Sequence, residues 1–102
     1  MNTAPLSPIS KAEFDAHSPE RNESAMLYLE ERSWFKTEDS KYIAAVEVAT
    51  SCDDWSYSLY EVRTGNSAPQ HSYGCDRNSE SRIVELLVSS VRKLYRKENE
   101  NH

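Results

Sequence analysis

The chain has 102 residues, with 17 acidic against 12 basic side chains, a formal net charge of −5, and ten aromatics of which six are Tyr. That length supports one domain around a single core, and the negative balance works against non-specific nucleic-acid binding, in which Lys and Arg displace counterions from phosphates. No run approaches the ~20 apolar residues that span a bilayer, two glycines cannot write a glycine-rich phosphate loop, and no signal-peptide, G-x-S-x-G or H-E-x-x-H pattern occurs.

In chain order, "MNTAPLSPI" carries Pro5 and Pro8 among small polar residues, so residues 1–9 are expected to be a flexible lead without a regular element. "SKAE" is a capping box, in which Ser10 and Glu13 each reach the other's backbone N–H. It predicts a short helix to about His17, anchored by Phe14. "SPERNESAMLYLEERSW" offers Ser18 as a cap, Pro19 at the first helical position and Glu20 near the positive dipole end. Ala25, Met26 and Leu29 follow at helical spacing, predicting a helix from Pro19 to Arg32. A strand over "MLYLEERSWF" is the competing reading, but the run lacks alternation and contains no Val, Ile or Thr.

"SWFKTEDSKYIAAVEVATS" reads as a hairpin: a short strand through Trp34 and Phe35, a turn at Glu38 to Ser40, then a strand from Tyr42 to Thr50. Tyr42, Ala44, Val46 and Val48 share one face of the second strand, and Ile43, Ala45, Glu47 and Ala49 the other. After a turn at 51–54, "WSYSLYEVR" puts Trp55, Tyr57 and Leu59 on one side. Tyr60 and Val62 then move the apolar side, which predicts either a bulge or a sheet partly covered on both faces. "TGNS" is a hairpin corner, and a weaker strand is expected from Ala68 to Cys75.

"DRNSESRIVELLVSSVRKLYRKE" begins with the capping residues Asn78 and Ser79 and ends with Arg92, Lys93, Arg96 and Lys97 near the negative dipole end. Ile83, Val84, Leu87, Val88, Val91, Leu94 and Tyr95 form one stripe at 3.6 spacing. Its burial is worth on the order of 10 kcal/mol before conformational entropy, at about 1.5–3 kcal/mol per large side chain. The expectation is one α+β domain over residues 10–97: an N-terminal helical segment, a three- or four-stranded antiparallel meander, and this C-terminal helix packed on one sheet face. Residues 98–102 are expected to fray.

"FDAHSPER" (14–21), "LEERSWF" (29–35) and "DDWSY" (53–57), in this order, resemble a widespread family of small uncharacterised bacterial proteins. F-x-x-x-S-P-x-R, E-E-x-x-W-F/Y and D-x-D-W-x-Y segments recur there before a C-terminal amphipathic helix. The chain departs from that pattern at "KYIAAV", where the family often has Gly, and at Cys52, where a polar residue is usual. The resemblance implies the order helix, strands, helix, and no catalytic residue.

Several residues invite chemistry. Cys52, Asp53, Asp54 and Trp55 would make a metal or thiolate site if His71, Cys75 and Asp76 came beside them, but zinc needs close ligand pairs and these cysteines are 23 residues apart. The simpler reading is a turn favoured by Asp side chains, with Cys52 as filler and Trp55 opening a core strand. His71 and Cys75 on one strand face would stand about 13 Å apart, too far for proton transfer. Glu30 and Glu31 lie beside aromatics, where a carboxyl can titrate high, but adjacent helical residues diverge by ~100°. Glu31 alone is kept as a site candidate. "RKLYRK" (92–97) mixes cations and an aromatic, though a solvated helix end that complements the dipole is the simpler account.

The functional expectation is a small cytoplasmic, non-enzymatic interaction or accessory module. An exposed sheet face would present Trp34, Tyr57, Tyr60 and Tyr73, with Glu31, Asp53 and Asp54, to a protein partner or to a second copy in a homodimer. No cofactor, metal or catalytic residue is expected. The alternatives are an acidic inhibitor, encoded by a mobile element, that occupies a basic groove of its target, and an enzyme or metal site at Cys52 to Trp55. With two cysteines in a reducing compartment, both are expected as thiols.

Overall fold

The computed structural model describes residues 6–17, 28–51, 54–65 and 79–100, with residues 98–100 described by their backbone only. Four strands, β1 (Leu6–Ile9), β2 (Leu29–Thr37), β3 (Tyr42–Ala49) and β4 (Trp55–Glu61), form one antiparallel sheet in sequential order. A short helix α1 (Lys11–Ala16) follows β1, and the 21-residue helix α2 (Glu80–Glu100) closes the chain. The α+β architecture with a C-terminal helix on the sheet is the one its periodicities predict.

Two cores result, one on each side of the sheet. Tyr42, Ala44 and Val46 of β3 and Tyr57 and Leu59 of β4 face α2, where Ile83, Leu87, Val91 and Leu94 are buried against them. On the opposite face Ile43, Ala45 and Tyr60 surround Phe14 of α1, with Ile9, Trp34 and Val62 packed around. Phe14 is fully buried and meets Tyr60 edge-on at 6.0 Å. Ser10 caps α1 by accepting the Glu13 N–H at 3.1 Å, and Ser79 caps α2 by accepting the Arg82 N–H at 3.3 Å. The Tyr57 hydroxyl shares a hydrogen bond with Ser90, holding the middle of α2 over β4.

The structure corrects several sequence expectations. The lead segment contains β1, because Pro8 can stand in an edge strand when its missing N–H would face outward. It sits opposite Phe35 and is exposed. The helix expected from Pro19 to Arg32 does not extend through its last turn: Leu29 to Arg32 open β2, and the earlier part lies outside the described residues. Good helix formers yield there to the ladder offered by β3, since propensity is a weak prior against tertiary pairing. The fourth strand comes from the N-terminus, and the strand expected at 68–75 lies outside the described residues. Of the two readings of the apolar switch at Tyr60, the structure has the second: β4 carries no bulge, its register to β3 being continuous from Tyr42↔Glu61 to Val48↔Trp55, and the sheet is partly covered on both faces, with Tyr60 packed against Phe14 on the second. On α2, Leu86 joins the packed flank, a position outside the expected stripe. The helix also continues to Glu100, through residues expected to fray.

The β2–β3 turn is built by Thr37, Asp39 and Ser40. Ser40 donates its N–H to the Thr37 carbonyl at 2.9 Å and sits at φ 62°, in the left-handed region that disfavours a side chain. Ser40→Gly is expected to raise stability by about 0.5–1 kcal/mol in urea unfolding, since glycine reaches that conformation without the Cβ clash. Leu87→Ala, which empties the centre of the α2 core, is expected to lower it by about 2–5 kcal/mol in the same measurement.

Candidate functional site

β2 departs from regular pairing at one point. Glu31 faces Glu47 and Ser33 faces Val46, so Arg32 is an extra residue between them. A bulge of this kind shifts the side-chain alternation by one position. Without it Glu31 would share the α2 side with Ser33 and Phe35. With it, Glu31 turns to the α1 side, where Trp34 donates its indole N–H to the Glu31 carboxylate at 3.4 Å. Arg32 is exposed and reaches back to Glu30 at 3.5 Å.

Beyond the reach of α1, this sheet face is polar. Glu47 in the central strand is only 4% exposed and accepts a hydrogen bond from Ser58 of β4. Ser56, buried as well, stands opposite Glu47 in the register. Two carboxylates on neighbouring strands, Glu31 and Glu47, are therefore direct cross-strand partners, an arrangement that repels unless cationic or donor groups are drawn between them. Trp34 is half-buried at its edge, and Tyr28 stands 67% exposed where the chain enters β2. The Tyr28 carbonyl accepts the Thr50 N–H at 2.8 Å, closing this end of the sheet. The arrangement can recognise a positively charged group by hydrogen bonding and ring contact.

Of the residues expected to act, Trp34 and Glu31 come together here. Asp54 is half-buried in the neighbouring connection, its carbonyl accepting the Ala49 N–H at 2.9 Å. Tyr57 and Tyr60, expected on an exposed face, are instead 2% and 6% exposed within the two cores. An uncovered sheet face was their premise, but α2 covers the face at Tyr57 and Phe14 of α1 covers the other face at Tyr60. Tyr73, Asp53, Cys52, His71, Cys75 and Asp76 lie outside the described residues. Among the described residues no three His, Cys, Asp or Glu side chains group as metal ligands, and no helix is long and apolar enough to cross a membrane.

No protein-family model, curated protein or solved structure matches this chain. Sequence reasoning passed over Glu47 and Ser58. The available signal was a lone charge inside the apolar run "YIAAVEVA", which only a buried polar partner accommodates.

A second polar cluster holds the far end of α2. Tyr95 donates its hydroxyl to Asp39 Oδ1 at 2.6 Å, and the same oxygen accepts from the Thr37 hydroxyl at 2.8 Å and the Lys41 N–H at 3.0 Å. The Tyr95 ring stands edge-on to Tyr42, with centroids 5.9 Å apart. Partial burial alone would raise the Asp39 carboxyl, but the donors from Tyr95, Lys41 and Thr37 together hold it below its ordinary value. Burial first, and then the bond to Asp39, push the Tyr95 phenol upward.

The signs set both limbs of a stability profile. A carboxyl depressed in the fold stabilises above its unfolded pKa and loses that contribution as pH falls through the folded value. A phenol raised in the fold stabilises below its unfolded pKa and loses its contribution as pH climbs above about 10. Asp39→Asn is expected to flatten the acid limb below about pH 4. Tyr95→Phe is expected to cost about 1 kcal/mol near neutrality and to remove this phenol's share of the alkaline decline. Urea titrations across pH read both.

Proposed function

We propose that the protein is a small cytoplasmic interaction module rather than an enzyme, and that the polar end of the α1-side sheet face is where it engages a partner protein. The observation that carries this reading is the bulge at Arg32, which turns Glu31 onto the face of Trp34 and Glu47. The partner it suits presents Lys or Arg from an exposed segment, with the cation held by carboxylates and lying against the indole. An acidic inhibitor that fills a basic groove of its target is a special case of the same reading. The N-terminal half of the chain, with eleven acidic and five basic residues in 1–54, supports it. The resemblance to small bacterial proteins of helix, strands, helix order is compatible with this role and brings no catalytic residue.

Affinity capture from the source cell, followed by washes of rising ionic strength, tests the proposal. The expected result is a partner whose retention falls steeply with salt and drops by about tenfold for Trp34→Ala or Glu31→Gln with unchanged circular dichroism. Equal retention by the wild type and both variants overturns it. A mass by size exclusion that doubles with concentration, and reverts to a monomer in Trp34→Ala, would make the partner a second copy.

A further inference from the structure

Residues 6–17, which are β1 and α1 together, are joined to the fold in a different way from the other elements. Within this arm Phe14 alone is buried; Leu6, Ile9, Glu13 and His17 are half-buried and the rest are exposed. β3, by contrast, buries seven consecutive residues, and α2 joins a cluster of nine buried residues against four on the α1 side among the described residues. β1 lies at the margin of the sheet, pairs with β2 from Leu6↔Thr37 to Ile9↔Trp34, and brings no amide at Pro8. The ion pair of Lys36 Nζ with Glu13 Oε2, 3.0 Å long, joins side chains that are 34% and 42% exposed, so water screens it. A segment held by so little buried surface opens at a lower free energy than the core it covers.

The same contacts are specific. Phe14 fills a socket made by Ile43, Ala45 and Tyr60 with Trp34 and Val62 beside it, the strand has a fixed register on β2, and Glu13 meets Lys36. We propose that the arm is an exchangeable strap: it opens as one unit while β3, β4 and α2 stay packed, and the socket it leaves takes the same arm from a second copy of the chain. The contacts themselves select this occupant. Another copy carries the identical strand, aromatic anchor and carboxylate, and remakes each contact between chains that the first arm made within one. Concentration then decides between the two, because a tethered arm competes at an effective concentration on the order of mM, and exchange grows when the tethered arm is weakened. Glu31 and Glu47 take no part, which separates this surface from the one proposed for a cationic partner.

Hydrogen exchange on the full chain and fluorescence anisotropy with a labelled peptide of residues 6–17, standing for a second copy's arm, test the two halves of the proposal. Phe14→Ala is expected to speed exchange of the β1 and α1 amides together by about tenfold or more, leaving Ala44, Val46 and the amides of α2 as protected as before. The peptide is expected to bind the Phe14→Ala chain about tenfold more tightly than the wild type, whose own arm competes, while a peptide carrying Phe14→Ala binds neither. Ile9→Ala, which keeps the aromatic anchor and perturbs the fold less, should give the same ordering with a smaller ratio. Equal loss of protection in α2 and β3, equal peptide binding by the wild type and both variants, or no binding to either variant overturns the proposal.

Discussion

The apolar stripe of α2 and the sheet face beneath it bury each other, and the remaining structure is arranged around that contact. A helix about 10 Å wide covers only about two strands spaced near 4.8 Å, and it settles over β3 and β4, where Ala44, Val46, Tyr57 and Leu59 present a continuous surface. β3 is thereby committed to the centre. Seven consecutive residues of it, Tyr42 to Val48, are buried, so its second face also needs a cover. α1 supplies part of that cover with one large side chain, Phe14, seated among Ile43, Ala45 and Tyr60. The alanines at 44 and 45 lie where the strand is flanked from both sides.

Covering the second face only partly has a chemical result. A six-residue helix cannot reach the whole length of an eight-residue strand, and in the part beyond it β3 carries Glu47 instead of an aliphatic residue. A buried carboxylate is tolerated only with donors close by, and Ser58 provides one. The bulge in β2 then brings Glu31 to the same region instead of leaving it on the α2 side. Fold and candidate site are thus two results of one packing decision.

How much of this was legible in the sequence depended on whether a signal was local. The stripe of α2, the Ser10 cap with its Phe14 anchor, and the alternation of β3 can each be read within a dozen residues, because periodicity and capping are short-range. The β2 segment could not be read that way. Leu29, Glu30, Glu31 and Arg32 are helix formers with no alternation, and their extended conformation is imposed by hydrogen bonds to β3 residues more than a dozen positions away. The bulge hid the alternation that would have revealed the strand. Burial of Tyr57 and Tyr60 was missed for a related reason: a cover on the second face arrives from the N-terminus, and nothing near either tyrosine announces it. The Asp39–Tyr95 bond spans 56 positions and leaves no local trace at all.

The outer margin of the sheet gives a last consequence. β1 is four residues long, and one of them is Pro8. A foreign strand sliding alongside would find a missing amide in the middle of an already short margin, and could not zip into register over any useful length. The proline that made this segment look structureless therefore acts as a fence. It lets the N-terminal residues complete the sheet while discouraging a foreign strand from adding at this edge.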